Sequence, residues 1–252
     1  MTEFQSLLGQ ALPPKYLGWL MDGLWMTLHI SAVIALLSTL LGIVIAAARS
    51  NHRRWLALPA AAFLALFRNT PLLVQLFFWY FGVSSLLPES SVEWLNTVHS
   101  LALGSYLALN WPSFELLCAV IGLSLYSAAY ISEEIRAGMR GVAAAQQLAG
   151  AALGLTRWQV LRYVILPQAV WIALPPLLGQ YMNIIKNTSL TMAIGLAELS
   201  YTSRQVEAQT FKTFQAFGVA TLFYIAVIAA LEMAGQLLQR RRRLAVTGSA
   251  RR

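Results

Sequence analysis

Residues 24–48 form a run of 25 residues in which His29 is the one ionisable group. About 20 predominantly apolar residues suffice to cross the hydrocarbon core of a bilayer as a helix. In lipid a helix satisfies its own backbone hydrogen bonds, which an open sheet edge does not. This run therefore commits the chain to an all-α, integral membrane fold. Composition agrees, with 58% hydrophobic and 11% charged residues and a mean hydropathy of +0.61. A soluble domain carries about a quarter charged residues.

Four further spans follow from the same argument. The second apolar stretch, from Trp55 to Leu87, is broken at Arg68-Asn69-Thr70-Pro71. Thr70 and Pro71 read as an N-cap and first-turn pair, so the main second span is expected at 71–87 with 56–67 as its cytoplasmic lead-in. The third span is expected at 114–132, the fourth from Pro167 to Ile185 and the fifth at 214–238. Pro175-Pro176 is expected to kink or break the fourth.

Charge orients this array. Lysine and arginine accumulate in cytoplasmic loops. With the N-terminus outside, residues 49–55, 133–166 and 239–252 lie in the cytoplasm and hold 13 of the 18 basic residues. The outer segments hold Lys15, Arg204 and Lys212. The reading is five transmembrane helices, N-out and C-in. A periplasmic N-terminal segment (1–23) precedes a transmembrane domain (24–238), and a basic cytoplasmic tail (239–252) follows. Residues 1–23 lack the basic stretch and short apolar core of a cleaved signal. The net charge of +8 is divided among clusters separated by apolar spans, which leaves no single basic face for nucleic acid.

Residues 141–156 (GVAAAQQLAGAALGLT) are apolar, yet Arg140 and Arg157 bracket only 16 residues that include Gln146 and Gln147. A crossing here would be short and would put the arginine-rich tail outside. The segment reads as a short cytoplasmic helix between spans three and four, with apolar surface suited to a groove on another protein. Packing against the chain's own membrane domain is the other reading.

Chemistry of its own is not evident. No G-x-x-x-x-G-K phosphate loop and no H-E-x-x-H occurs. His29, His52 and His99 fall in separate segments, and Cys118 is alone. The expectation is no catalytic residue, no metal and no cofactor.

The segment Ala149-Gly150-Ala151-Ala152-Leu153-Gly154-Leu155-Thr156-Arg157, followed by Leu166-Pro167, resembles the coupling loop of ABC importer permeases. Gly154 matches that pattern's glycine and Ala149 its first alanine, while Leu148 and Gly150 replace its glutamate and second alanine. Arg68-Asn69-Thr70-Pro71-Leu72-Leu73-Val74-Gln75, Ala129-Tyr130-x-x-Glu133-x-x-Arg136 and Asn183-x-x-Lys186-Asn187-Thr188-Ser189 are similar to signatures of the polar amino acid branch. That branch includes histidine, glutamine, arginine and glutamate systems. Tyr16-Leu17-Gly18-Trp19 and Leu87-Pro88-Glu89 look most like its glutamate/aspartate members. The resemblance covers about residues 16–240. It implies a permease subunit working by alternating access, paired with a second, related or identical permease. It also implies a cytoplasmic ATP-binding subunit dimer and a periplasmic amino acid-binding protein. On this reading Gln147, Ala149, Gly150, Gly154, Leu155 and Arg157 form the ATPase coupling helix.

For the substrate pathway the candidates are Arg68, Asn183, Lys186, Asn187 and Thr188. An intramembrane arginine suggests a path for a carboxylate, or it snorkels and fixes the capping region. The polar run from Lys186 to Ser189 reads as irregular backbone beside a cavity, or as a span ending at the outer interface. Glu198 is expected in an outer loop, at a gate, against the binding protein or solvated. Glu232 is expected to pair near Arg240. The segment 88–113 reads as a flap or a lipid-skimming loop, and Trp79, Trp111, Trp158 and Trp171 as interface anchors or packing. A stand-alone ion-coupled secondary transporter is the alternative. It predicts inverted repeats and mid-span carboxylates, whereas five spans do not halve and no Asp or Glu sits mid-span.

Overall fold

The computed structural model describes residues 12–97, 100–103, 107–110 and 112–249, with side chains for 12–97 and 112–240. Residues 1–11, 98–99, 104–106, 111 and 250–252 lie outside the described residues, and with them His99 and Trp111. Among the described residues the fold is helical apart from one small ribbon. Helices α1 (Pro14–Arg49), α5 (Phe114–Arg140) and α10 (Thr213–Ser249) are long and continuous. The fourth long element joins α7 (Arg157–Val160), a π turn (Leu161–Ile165), α8 (Leu166–Asn187) and a 3-10 segment (Thr188–Ile194). Four helices are long and apolar enough to cross a bilayer, and a fifth span arises when the bent pair Arg54–Asn69 and Leu72–Gly82 counts as one.

That pair corrects the reading of span two. Residues 56–67 belong to a full helix, α2 (Arg54–Asn69), which turns by 106° into α3 (Leu72–Phe77) and a π turn (Phe78–Gly82). Proline disfavours helical backbone in the residue before it, and Thr70 is extended, with φ −108° and ψ 138°. Thr70 is not an N-cap; its hydroxyl donates back to the Leu66 carbonyl at 2.8 Å. The bend is instead held by Gln75, whose buried Nε2 donates to the Phe67 carbonyl at 3.0 Å and to Thr70 Oγ1 at 2.6 Å. Carbonyls at the end of α2 would otherwise lack partners in a place poor in water.

Two other boundaries move. The helix that carries span one begins at Pro14 rather than residue 24. Leu12 and Leu20 form a core with Leu199, Val206, Ala216 and Ala220, against which Tyr16 and Trp19 pack. Pro175 and Pro176 do not break span four: α8 runs unbroken from Leu166 to Asn187. The break comes about three turns later, at the change to 3-10 geometry after Asn187.

The main core lies where α1, α3, α5 and α8 meet, with Ile34, Leu76, Leu123, Ile131 and Ile184 fully buried. Small residues permit these crossings, as is usual where lipid supplies no hydrophobic drive between helices. A Cβ on Gly42 would stand 2.8 Å from Ile131 Cγ2, and one on Gly138 would stand 2.7 Å from the Ala169 carbonyl. Cys118 is buried in this core, its thiol directed at the Trp79 carbonyl at 3.4 Å. Between spans two and three lie α4 (Glu89–Asn96) and a ribbon of β1 (Ser100–Leu103) and β2 (Leu107–Asn110), antiparallel with Leu101 opposite Leu109.

Candidate functional site

A polar seam runs through the apolar core. On α5, Tyr126 and Tyr130 stack one turn apart, and the Arg68 guanidinium lies over the Tyr130 ring at 5.4 Å. Arg68 ends α2 at the bend and is exposed in the single chain. One turn below Tyr130, Glu134 accepts from Gln180 of α8 at 3.3 Å, and Tyr181 bonds Thr39 of α1 at 3.0 Å. Glu133 and Glu134 diverge, since Glu133 forms an ion pair with Arg136. Asn183 and Lys186 lie exposed on the last turns of α8, and Asn187 is half-buried. Neither Arg68 nor Lys186 has a carboxylate ion-pair partner among the described residues. No hydrogen bond joins Arg68 to Asn183, Lys186, Asn187 or Thr188 among them. A recess of about 440 Å³ at the bend is lined by Leu66, Phe67, Thr70, Val74, Gln75, Phe78 and Trp79, and Arg68 is not part of that lining.

Thr188 is fully buried, unlike its polar neighbours, and belongs to a second cluster around Glu198. This carboxylate is 0% exposed, neither a solvated loop charge nor a surface for a partner. It caps α9 (Leu199–Thr210), accepting from the Tyr201 N–H at 2.9 Å. Its Oε2 accepts from the Tyr224 hydroxyl of α10 at 2.8 Å and from the Thr27 hydroxyl of α1 at 3.4 Å. Thr27 in turn accepts from the Leu199 N–H at 3.2 Å. Burial pushes the Glu198 carboxyl above the usual carboxylate range, against the opposing pull of the Ser200 and Tyr201 N–H groups and the two hydroxyls. One residue thus ties α1, α9 and α10 together. Sequence spacing carried no sign of this, because Thr27 and Glu198 are 171 residues apart.

At the opposite end, α6 (Ala144–Ala152) forms a helical hairpin with α7. Gly154 closes it in the left-handed region, φ +77°, where a side chain would be strained. Thr156 and Gln159 then form a reciprocal capping box that starts α7 at Arg157. Gly150 is the one buried residue of α6, pressed on Val160; a Cβ there would stand 2.8 Å from Val160 Cγ2. Leu155 packs with Val142, Val160 and Ile165 beneath the hairpin. Gln147, Ala149, Gly154 and Arg157 are exposed, and Leu148 and Leu153 are 71% and 81% exposed. The hairpin is therefore held by its own contacts and apolar on a face that nothing among the described residues covers. Glu232 accepts from Gln236, one turn away, rather than from Arg240.

Residues 38–244 match the family described as "binding-protein-dependent transport system inner membrane component". The chain belongs to this family. It is a multi-pass inner-membrane permease subunit, a transport component and not itself an enzyme, and systems of this kind include an ATP-binding subunit and a binding protein. It is 30% identical to the glutamate/aspartate import permease protein GltJ of Escherichia coli strain K12, across 91% of this chain and 89% of the relative. It is also 30% identical to the glutamine transport system permease protein GlnP of the same strain, across 89% and 93%. A crystal structure of an amino acid ABC transporter with histidines superimposes with a TM-score of 0.77 at 27% identity, covering 90% of this chain and 95% of that one.

Proposed function

We propose that this permease is the membrane subunit of an ATP-driven importer for a polar amino acid, and that its substrate is acidic, glutamate or aspartate. The observation that carries the acidic reading is the pair of cations without carboxylate partners. Arg68 at the bend of span two and Lys186 near the end of α8 both stand exposed in the single chain. An unneutralised guanidinium is matched in charge and shape to a carboxylate, and a second permease covering these faces would enclose both cations. Asn183 and Asn187 add neutral donors on the same turns. Thr188, buried next to the Glu198 cluster, holds the 3-10 segment rather than touching substrate. The relatives named for glutamate/aspartate and for glutamine transport are equally identical to this chain, so the cations are what favour the acidic substrate.

The exposed face of the α6 hairpin, with Gln147, Ala149, Gly154 and Arg157, is the surface for the cytoplasmic ATP-binding dimer, and Gly150 and Leu155 pack beneath it to hold that face in place. The amino acid arrives on a periplasmic binding protein. Outward-open and inward-open states are then favoured by different ligands, which is what lets ATP drive the cycle.

The test is uptake of labelled glutamate, aspartate and glutamine into proteoliposomes holding the purified importer, binding protein and internal ATP. ATP-dependent uptake of the acidic pair, lost in Arg68→Gln, supports the reading. Uptake of glutamine alone would overturn the acidic assignment and keep the importer. ATP-independent, ion-coupled uptake would overturn the importer.

A further inference from the structure

At the arginine-rich end a cavity of about 250 Å³ lies between the spans and the hairpin, behind the face that α6 presents outward. Its polar lining comes from three elements: Ser50, which caps α1; Arg136 and Arg140, in the last turns of α5; and Gln147 of α6. Residues four apart on a helix share a face, so both guanidinium groups reach the same space. Glu133 pairs with Arg136 through Nη1 and is the one carboxylate engaged there among the described residues. Arg136 Nε remains buried with no acceptor. Buried donors are almost always paired, and one that is not calls for an explanation. Two guanidinium groups against one carboxylate leave a positive cavity, and the unmet Arg136 Nε lies in the wall behind it. Met139, Leu161 and Ile165 supply apolar walls.

We infer that this cavity binds a phosphate-type oxyanion, supplied by an anionic lipid of the inner leaflet. The chemistry requires several acceptor oxygens with an apolar portion attached, and a phosphoglycerol headgroup with the root of its acyl chains has both. The distribution of basic residues puts this end of the spans at the cytoplasmic surface, where anionic headgroups are attracted to basic pockets between helices. The ligand would bridge α5 to Gln147 and so hold the hairpin against the spans. Lipid composition would then set how firmly the hairpin follows its bound ATPase. The inference is independent of which amino acid is carried.

The experiment uses the full chain with its co-purifying subunits in detergent, followed by thermal unfolding and native mass spectrometry. Dihexanoyl phosphatidylglycerol should raise the unfolding temperature and dihexanoyl phosphatidylcholine should not. Arg140→Gln, at an exposed helix end, should leave the lipid-free unfolding temperature unchanged. It should weaken the phosphatidylglycerol effect about tenfold in concentration, as expected for loss of one charge-assisted contact. Arg136→Lys, which keeps the charge and loses the planar fork, should weaken it as well. Equal responses to the two lipids, or wild-type responses in both variants, would overturn the proposal. An equal effect of inorganic phosphate would overturn the lipid source in favour of a soluble anion. Loss of the ATPase subunit from Arg140→Gln with an unchanged lipid response would make the cavity a protein contact, and the proposal would fail.

Discussion

The two ends of this permease treat their polar groups in opposite ways. At the end away from the hairpin, Glu198 is withdrawn from solvent, and backbone and hydroxyl donors from α1, α9 and α10 converge on it. At the arginine-rich end, α6 buries one glycine and leaves two leucines bare, and the nearby Arg136 has a buried donor without an acceptor. The Glu198 corner finds its partners within one chain; the hairpin and its surroundings leave groups without partners among the described residues. Buried polar groups with all partners present rigidify a structure, and groups lacking partners cost free energy until one arrives. The difference indicates which end of the molecule is a fixed frame and which is an interface.

The largest expected effect breaks function without breaking the fold. Gly154→Trp places a bulky side chain at a left-handed position on the docking face, and uptake should fall to background while membrane insertion and α-helical content are retained. Normal uptake in that variant would end the assignment of the hairpin as the ATPase surface.

The opposite pattern is expected at Glu198. Glu198→Ala leaves the Tyr201 N–H and the Tyr224 and Thr27 hydroxyls without their acceptor, at about 2–5 kcal/mol for several unsatisfied buried groups. Glu198→Gln, which keeps one acceptor oxygen, should cost less. Denaturant unfolding of the solubilised protein measures both. If Glu198→Ala were as stable as the wild type, the contrast between a finished and an unfinished end would not stand.

The smallest effect sharpens the comparison through pH. Burial raises the Glu198 carboxyl above its ordinary value in the folded protein. Proton binding therefore favours the folded state: its contribution is complete below the unfolded carboxylate range and is lost as pH rises through the raised folded value. The unfolding temperature of the wild type should fall with rising pH across that window more steeply than that of Glu198→Gln. Parallel profiles would mean that the surrounding donors outweigh burial.

Much of the architecture was legible before any coordinates. Apolar run length identifies the long helices, because it reports solvent rather than detailed packing. The short helix α6 was legible for a related reason, as a segment too short and too closely bracketed by charge to cross. Thr70 shows where local reading failed. Its position before proline fits a cap, yet the chain bends there by 106° and Gln75, five residues on, closes the helix end.

The sequence by itself determined that the chain lives in lipid, which segments are long and apolar enough to cross it and where charge collects. These follow from transfer free energies that add residue by residue. Only the tertiary structure decided that Thr188 leaves the polar run for the Glu198 cluster, that Glu134 meets Gln180, and that Arg136 keeps a donor unmet. Each depends on side chains brought together from helices far apart in sequence, and the free energy of a buried polar group is set by its partners rather than by its own identity.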